Sequence, residues 1–135
     1  MKSIEITVAT GGSKAVADLT GDLAGFVAGL GDGLVSVFVP HATAGVAILE
    51  VGAGSDHDLL LALDDLLPAE RGKWNHEHGS PGHGRDHVLP AFVSPSTTIP
   101  VVDGRMALGT WQSVVLVDTN IDNPVRRVRL SFVSG

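Results

Sequence analysis

The amino-acid sequence predicts an α+β domain, residues 1–135, dominated by antiparallel β-sheet. Three observations carry this. Apolar residues alternate at period two near both ends of the chain, two stretches in its first half repeat at helical spacing, and Asp103-Gly104 separates two apolar runs as a hairpin turn. A chain of 135 residues fits one domain and buries roughly two-thirds of its unfolded surface, enough for a proper core.

Ile4, Ile6 and Val8 share one face of a first strand, and Ser3, Glu5 and Thr7 share the other. Gly11-Gly12 marks a turn. Thr20 can cap a helix bearing Leu23, Phe26, Val27 and Leu30, with Gly29 and Gly31 at its far end. After the Asp32-Gly33 turn, Leu34 to Val39 reads as a buried strand that Pro40 ends, and Gly45 to Leu49 as another. Ser55 or Asp56 can cap a second helix carrying Leu59, Leu60, Leu63, Leu66 and Leu67 on one stripe, stopped by Pro68. The apolar pattern then disappears from Ala69 to Arg85, a long polar loop of the kind that is often functional. Asp86 to Phe92 is ambiguous: Asp86 can cap a short helix only if Pro90 falls in its first turn. Thr97 to Val102, a return strand beginning at Met106 and Leu108, Thr110 to Asp118, and Val125 to Phe132 complete the strands. The alternation of the last slips at its start. The tally is six or seven strands and two helices.

Composition excludes several functions. Cysteine is absent, so disulfides, thiolate chemistry and cysteine zinc sites are ruled out, which suits a cytoplasmic protein. A net charge of −6 disfavours a nucleic-acid role, and Arg126, Arg127 and Arg129 are too short a cluster to track a duplex. No apolar run approaches the ~20 residues that span a bilayer, so no membrane role is expected. Glu5 and Thr7 interrupt the apolar core that a signal peptide needs, and the segment reads as a strand of the mature protein.

Four of the six histidines lie between positions 76 and 87. His76 and His78 point the same way in an extended segment, and His83 and His87 share a face on a helix. Glu77 and Asp86 add oxygen donors nearby. Neutral imidazoles suit zinc or a similar divalent ion, and the same spacing also fits a loop of solvated histidines. His41 follows a buried strand, where it is either a hydrogen-bonded structural residue or part of a site assembled in space. Glu50 ends an apolar strand and is a general base, a ligand or simply exposed. Trp111 and Gln112 line a pocket for a flat ring or belong to ordinary packing. Arg127 and Arg129 share a strand face that either holds an anion or is solvated.

His41-Ala42-Thr43-Ala44-Gly45, Glu50, the helix ending in Pro68, Trp74-Asn75-His76, Asp86-His87, Ser96 to Val101 and Gly104 to Gln112 occur in an order that resembles the YjbQ-like family, described as secondary thiamine-phosphate synthases. The resemblance covers nearly the whole chain and is most specific from Gly104 to Gln112. It implies a β-sandwich with two or three helices, assembled as a homotrimer with clefts between subunits. It implies that His41, His76 and His87 converge there on a divalent metal (zinc or magnesium) or an anion, whereas His57, His78 and His83 have no counterpart in the motif. The implied reaction joins a pyrimidine methyl diphosphate to a thiazole phosphate and releases pyrophosphate. His41, Glu50, His76 and His87 are then the expected catalytic residues, and Thr43, Trp111, Gln112 and Arg127 the expected binding residues. A non-catalytic trimer that binds a metal or a small anion is the alternative.

Overall fold

The run Val114-Val115-Leu116-Val117 lacks alternation because its strand is covered on both faces. In the computed structural model, which describes residues 1–135, this strand, β7 (Ser113–Asp118), is the middle of a three-stranded antiparallel sheet. Its neighbours are β2 (Ala15–Asp18) and β4 (Ala44–Leu49). Val114 and Leu116 face the main core, and Val115 and Val117 face the opposite side.

The second sheet is five-stranded and antiparallel. It runs in the order β1 (Lys2–Ala9), β8 (Val125–Ser134), β3 (Gly33–Phe38), β5 (Ser96–Val102), β6 (Arg105–Met106). Val35, Val37, Ile99, Val101, Val128, Leu130 and Phe132 alternate inward and pack on Ala44, Val46, Val114 and Leu116 of the other sheet. Helix α1 (Thr20–Val27) adds Leu23, Phe26 and Val27 to that core. On the far side of the three-stranded sheet, α2 (Ser55–Leu66) presents Leu59 and Leu63 four residues apart, and Leu67 follows. They meet Val115, Val117 and Leu89, the last from a single 3₁₀ turn (Leu89–Ala91). The result is the expected α+β sandwich, with eight strands and three α-helices, the third being α3 (His83–Asp86).

Local differences from the sequence reading have local causes. Strand β2 is short and weakly apolar, so it exists only through its pairing with β7. Thr20 opens α1 rather than capping it: its hydroxyl accepts from the Val114 amide at 2.9 Å, and Asp18 takes the Thr20 amide at 2.9 Å. Leu66 leaves the α2 stripe and is 54% exposed. Asp86 ends a helix instead of starting one, and Pro90 sits in the first turn of the 3₁₀ segment, where its missing N–H does no harm. Trp111 and Gln112 precede β7 in a turn closed by the Gly109 amide on Gln112 Oε1 at 2.7 Å. Asp103 and Gly104 both take positive φ, as a two-residue hairpin requires.

The slip in the last strand is the position of Arg126. It falls on the inward face of β8, is 1% exposed, and crosses from the five-stranded to the three-stranded sheet. There its Nε and Nη2 donate to Asp118 at 2.6 and 3.0 Å, and Nη2 donates to Thr43 Oγ1 at 2.9 Å. Removing one partner leaves a buried charge without its complement, at a cost of about 3–5 kcal/mol. Arg126→Ala and Asp118→Ala are each expected to lower unfolding free energy by about that much, with the double mutant less destabilised than the sum of the two. Urea denaturation of the four proteins measures this; additive losses would remove the pair from the account.

Candidate metal centre

The polar loop after α2 is fastened at several points. Trp74 Nε1 donates to Pro68 O at 2.8 Å. Arg85, buried, donates from Nη1 to Leu67 O at 2.8 Å and to Asp64 at 3.0 Å, and from Nε to Asp86 at 3.0 Å. Asp86 also accepts from Thr119 Oγ1 at 2.6 Å and Asn120 Nδ2 at 3.2 Å, which ties α3 to the end of β7. Burial pushes the Asp86 carboxyl up, against the pull of Thr119, Arg85 and Asn120. At Gly84 a Cβ would lie 2.5 Å from His76 O and 2.6 Å from Trp74 Cβ. Only glycine therefore lets the Trp74-Asn75-His76 backbone lie directly on α3.

That contact sets the imidazoles side by side. His83 and His87, one turn apart, place their Nε2 atoms 3.1 Å from each other. His76 stacks on His87 with ring centroids 4.1 Å apart. One ligand atom from each of His76, His83 and His87 lies within 4.8 Å of the others. The exposed loop residue His78 brings its Nε2 to 2.7 Å from that of His76. Asp122 accepts from His83 Nδ1 at 3.1 Å and from Ser80 Oγ. Those bonds hold the Asp122 carboxyl below the usual range and direct the lone pair of His83 Nε2 toward His87. Burial and then the neighbouring His76 and His83 lower the pKa of His87, which favours its neutral form. Neutral nitrogen donors with one lone pair each, one of them oriented by a carboxylate, fit a zinc-like ion. They do not fit magnesium, which takes oxygen ligands.

Of the expected ligands, His76 and His87 are brought together, and His83 stands beside them. His41 lies elsewhere in the chain. Its Nε2 accepts from the Arg127 amide at 2.9 Å, and its charged neighbours are Arg126, Arg127, Asp118 and Glu5. Burial and the two arginines lower its pKa, which keeps it the neutral acceptor that bond needs. Thr43 is buried beneath Arg126. Glu50 is exposed just beyond β4. Arg127 is exposed with Glu5 3.8 Å away, and Trp111 is 73% exposed. Gln112 lines an open groove of about 520 Å³ between α1 and the β5–β6 hairpin, apart from the histidines. The spacing of His83 and His87 was a legible signal, but Asp122, 39 residues from His83, offered none.

Fold and site together define a class: a two-sheet α+β sandwich with a tethered imidazole cluster on a loop beside its smaller sheet. The family model described as UPF0047 protein YjbQ-like matches residues 4–135. A UPF0047 protein of Mycobacterium tuberculosis is 60% identical over 122 residues, covering 90% of this chain and 91% of that one. The UPF0047 protein YugU of Bacillus subtilis is 30% identical over 122 residues, covering 86% and 85%. The crystal structure of a hypothetical protein from Aeropyrum pernix K1 superposes with a TM-score of 0.89 at 31% identity and full coverage of both chains. That of a YbjQ-like protein of unknown function from Sulfolobus solfataricus P2 gives 0.90 at 24% identity, over 99% of this chain and 97% of that one, and shows the fold. The chain belongs to the YjbQ-like UPF0047 family. No helix in it is long and apolar enough to cross a membrane.

Asp64 connects this loop to the N-terminal region, accepting from Lys14 Nζ at 2.5 Å as well as from Arg85. Partial burial opposes its ionisation, but Lys14 and Arg85 outweigh that and hold the folded carboxyl below its usual range. A depressed folded value means that the bridge stabilises the fold above the unfolded pKa of about 3.9 and loses its contribution as pH falls further. The difference in melting temperature between wild type and Asp64→Asn should hold steady above about pH 5 and close below about pH 4. Thermal denaturation across that range is the check.

Proposed function

We propose that the chain is a metal-dependent transferase acting on small phosphorylated heterocycles, joining a hydroxymethylpyrimidine diphosphate to a thiazole phosphate. The observation that carries the metal reading is the convergence of His76, His83 and His87 with ligand atoms inside 4.8 Å. A zinc-like ion bound there supplies positive charge for a diphosphate leaving group. In the reaction the thiazole nitrogen bonds to the pyrimidine methylene carbon while the carbon–oxygen bond to diphosphate breaks, and the electron pair leaves with pyrophosphate. Neutral imidazoles add no negative charge to offset the ion, so the site favours an anionic partner. Trp111, exposed on its turn, offers a face for a heteroaromatic ring, and Gln112 offers a hydrogen-bonding edge beside it. Arg127 provides a cation and Glu50 a carboxylate that orients the substrate.

Assembly as a homotrimer reconciles these positions, because clefts between copies let residues far apart in one chain share a site. Leu34 and Val133 pair across β3 and β8 and, like Val102 and Phe38, are about half exposed on the outer sheet face, which supports contact with another copy. The separation of Gln112 and its groove from the histidines favours a second reading, a metal-binding protein without turnover.

His76→Ala, His83→Ala and His87→Ala are each expected to abolish stoichiometric zinc binding and to reduce synthase turnover at least about a hundredfold. Asp122→Ala, which removes the carboxylate that orients His83 and holds Ser80, should weaken zinc binding about 10- to 100-fold. Elemental analysis, competition titration with a chelating dye and a pyrophosphate-release assay measure these effects. Zinc uptake without turnover of the substrate pair would select the second reading.

A further inference from the structure

The ring of His78 lies against two members of the imidazole set. Its centroid lies 4.5 Å from that of His76 and 4.4 Å from that of His83. It is outside the group whose ligand atoms all lie within 4.8 Å, so it stands on one side of that group rather than in it. Two nitrogens bound at 2.0–2.1 Å to one tetrahedral ion stand roughly 3.3 Å apart. The 2.7 Å between His76 Nε2 and His78 Nε2 is close enough to that spacing for a small rotation of His78 to reach the same ion.

The four imidazoles are held very differently. His83 and His87 are fixed by α3, His83 also by Asp122, and His76 by the approach that Gly84 permits. His78 is exposed and has no hydrogen bond except the one to His76. It sits on a short arch fastened before it by Glu77, which accepts from the Gly72 amide, and after it by Ser80 on Asp122. Between these fastenings Gly79 takes φ +72°, a conformation that glycine adopts without strain. The arch thus keeps His78 near the set without locking its ring.

A tetrahedral site with four protein ligands is closed, and one with three keeps a position for a substrate group. We infer that His78 is a fourth, exchangeable ligand that closes the set of His76, His83 and His87 and yields its place to an anionic oxygen of a phosphate-bearing ligand. In that exchange one nitrogen–metal bond breaks and one oxygen–metal bond forms. His78 leaves as neutral imidazole, and no electron or proton changes hands. The inference rests on the metal reading and adds to it a protein group that competes with substrate.

Cobalt(II) replaces zinc in nitrogen sites and reports its ligands by visible absorption, so the test needs no turnover. Full-length wild type, His78→Ala and His78→Gln are titrated with cobalt and then with inorganic phosphate, with His87→Ala as the control that removes the site. Wild type is expected to bind one cobalt per chain. The two His78 variants should bind it at least about tenfold more weakly, the lower end of what loss of a supporting group costs. Their spectra should differ from wild type, and they should take up phosphate at least about tenfold more tightly, since no imidazole has to leave. Wild-type cobalt affinity, spectrum and phosphate response in both variants would overturn the inference while leaving the three-histidine site intact. A wild-type cobalt spectrum that does not respond to phosphate, while those of the two variants do, would make His78 a fixed ligand and overturn the exchange. Absence of cobalt and zinc binding in wild type would remove the metal reading and this inference together.

Discussion

A single buried carboxylate fixes how the two sheets meet at the end nearest the imidazoles. Asp118 is fully buried at the last residue of β7 and receives two bonds from Arg126, which reaches across from β8. It also accepts from the Asn120 amide at 2.9 Å. From there polar contacts continue without a break: Asn120 to Asp86, Asp86 to Arg85, Arg85 to Asp64 and to the end of α2. Every buried side-chain nitrogen and oxygen has a partner. A network of that kind tolerates few alternative arrangements, because any shift leaves a polar group dry and unpaired. Its net contribution to stability is modest, since desolvation offsets most of the attraction. Its structural effect is to position α3.

The position of α3 matters because the histidine loop has no strand partners of its own. Such a loop would ordinarily sample many conformations, and bringing its imidazoles together would carry the full entropy of ordering it. Here Arg85 and Asp86 between His83 and His87 are buried, while the two histidines face outward from the same short helix. One turn of helix therefore anchors inward and offers ligands outward. The glycine between His83 and Arg85 admits a second backbone segment and adds a third ring.

The same arrangement governs electrostatics. The chain is acidic overall, but the charges nearest the imidazoles are committed: Asp86 to Arg85, Thr119 and Asn120, and Asp122 to His83 and Ser80. The rings themselves are packed at centroid distances of 4.1 to 5.1 Å, where several positive charges would repel at short range. For His87, burial and the neighbouring rings thus favour the neutral form with its lone pair available.

The sequence by itself determined the strands and helices whose periodicity reflects burial: the alternation of β1, β5 and most of β8, the Leu59–Leu63–Leu67 stripe and the Asp103-Gly104 hairpin. It also marked the loop by its lack of apolar pattern and by the i, i+4 spacing of His83 and His87. Those signals are local, since each residue reports only which side of its own segment meets the core. Tertiary structure alone decided the rest. Strand β2 forms because β7 is there to pair with it, and Arg126 is inward because Asp118 waits across the core. His41 is occupied by the Arg127 amide, 86 residues away, while His83 gains Asp122. Partners that distant leave no period in the chain, because only folding sets the distance between them.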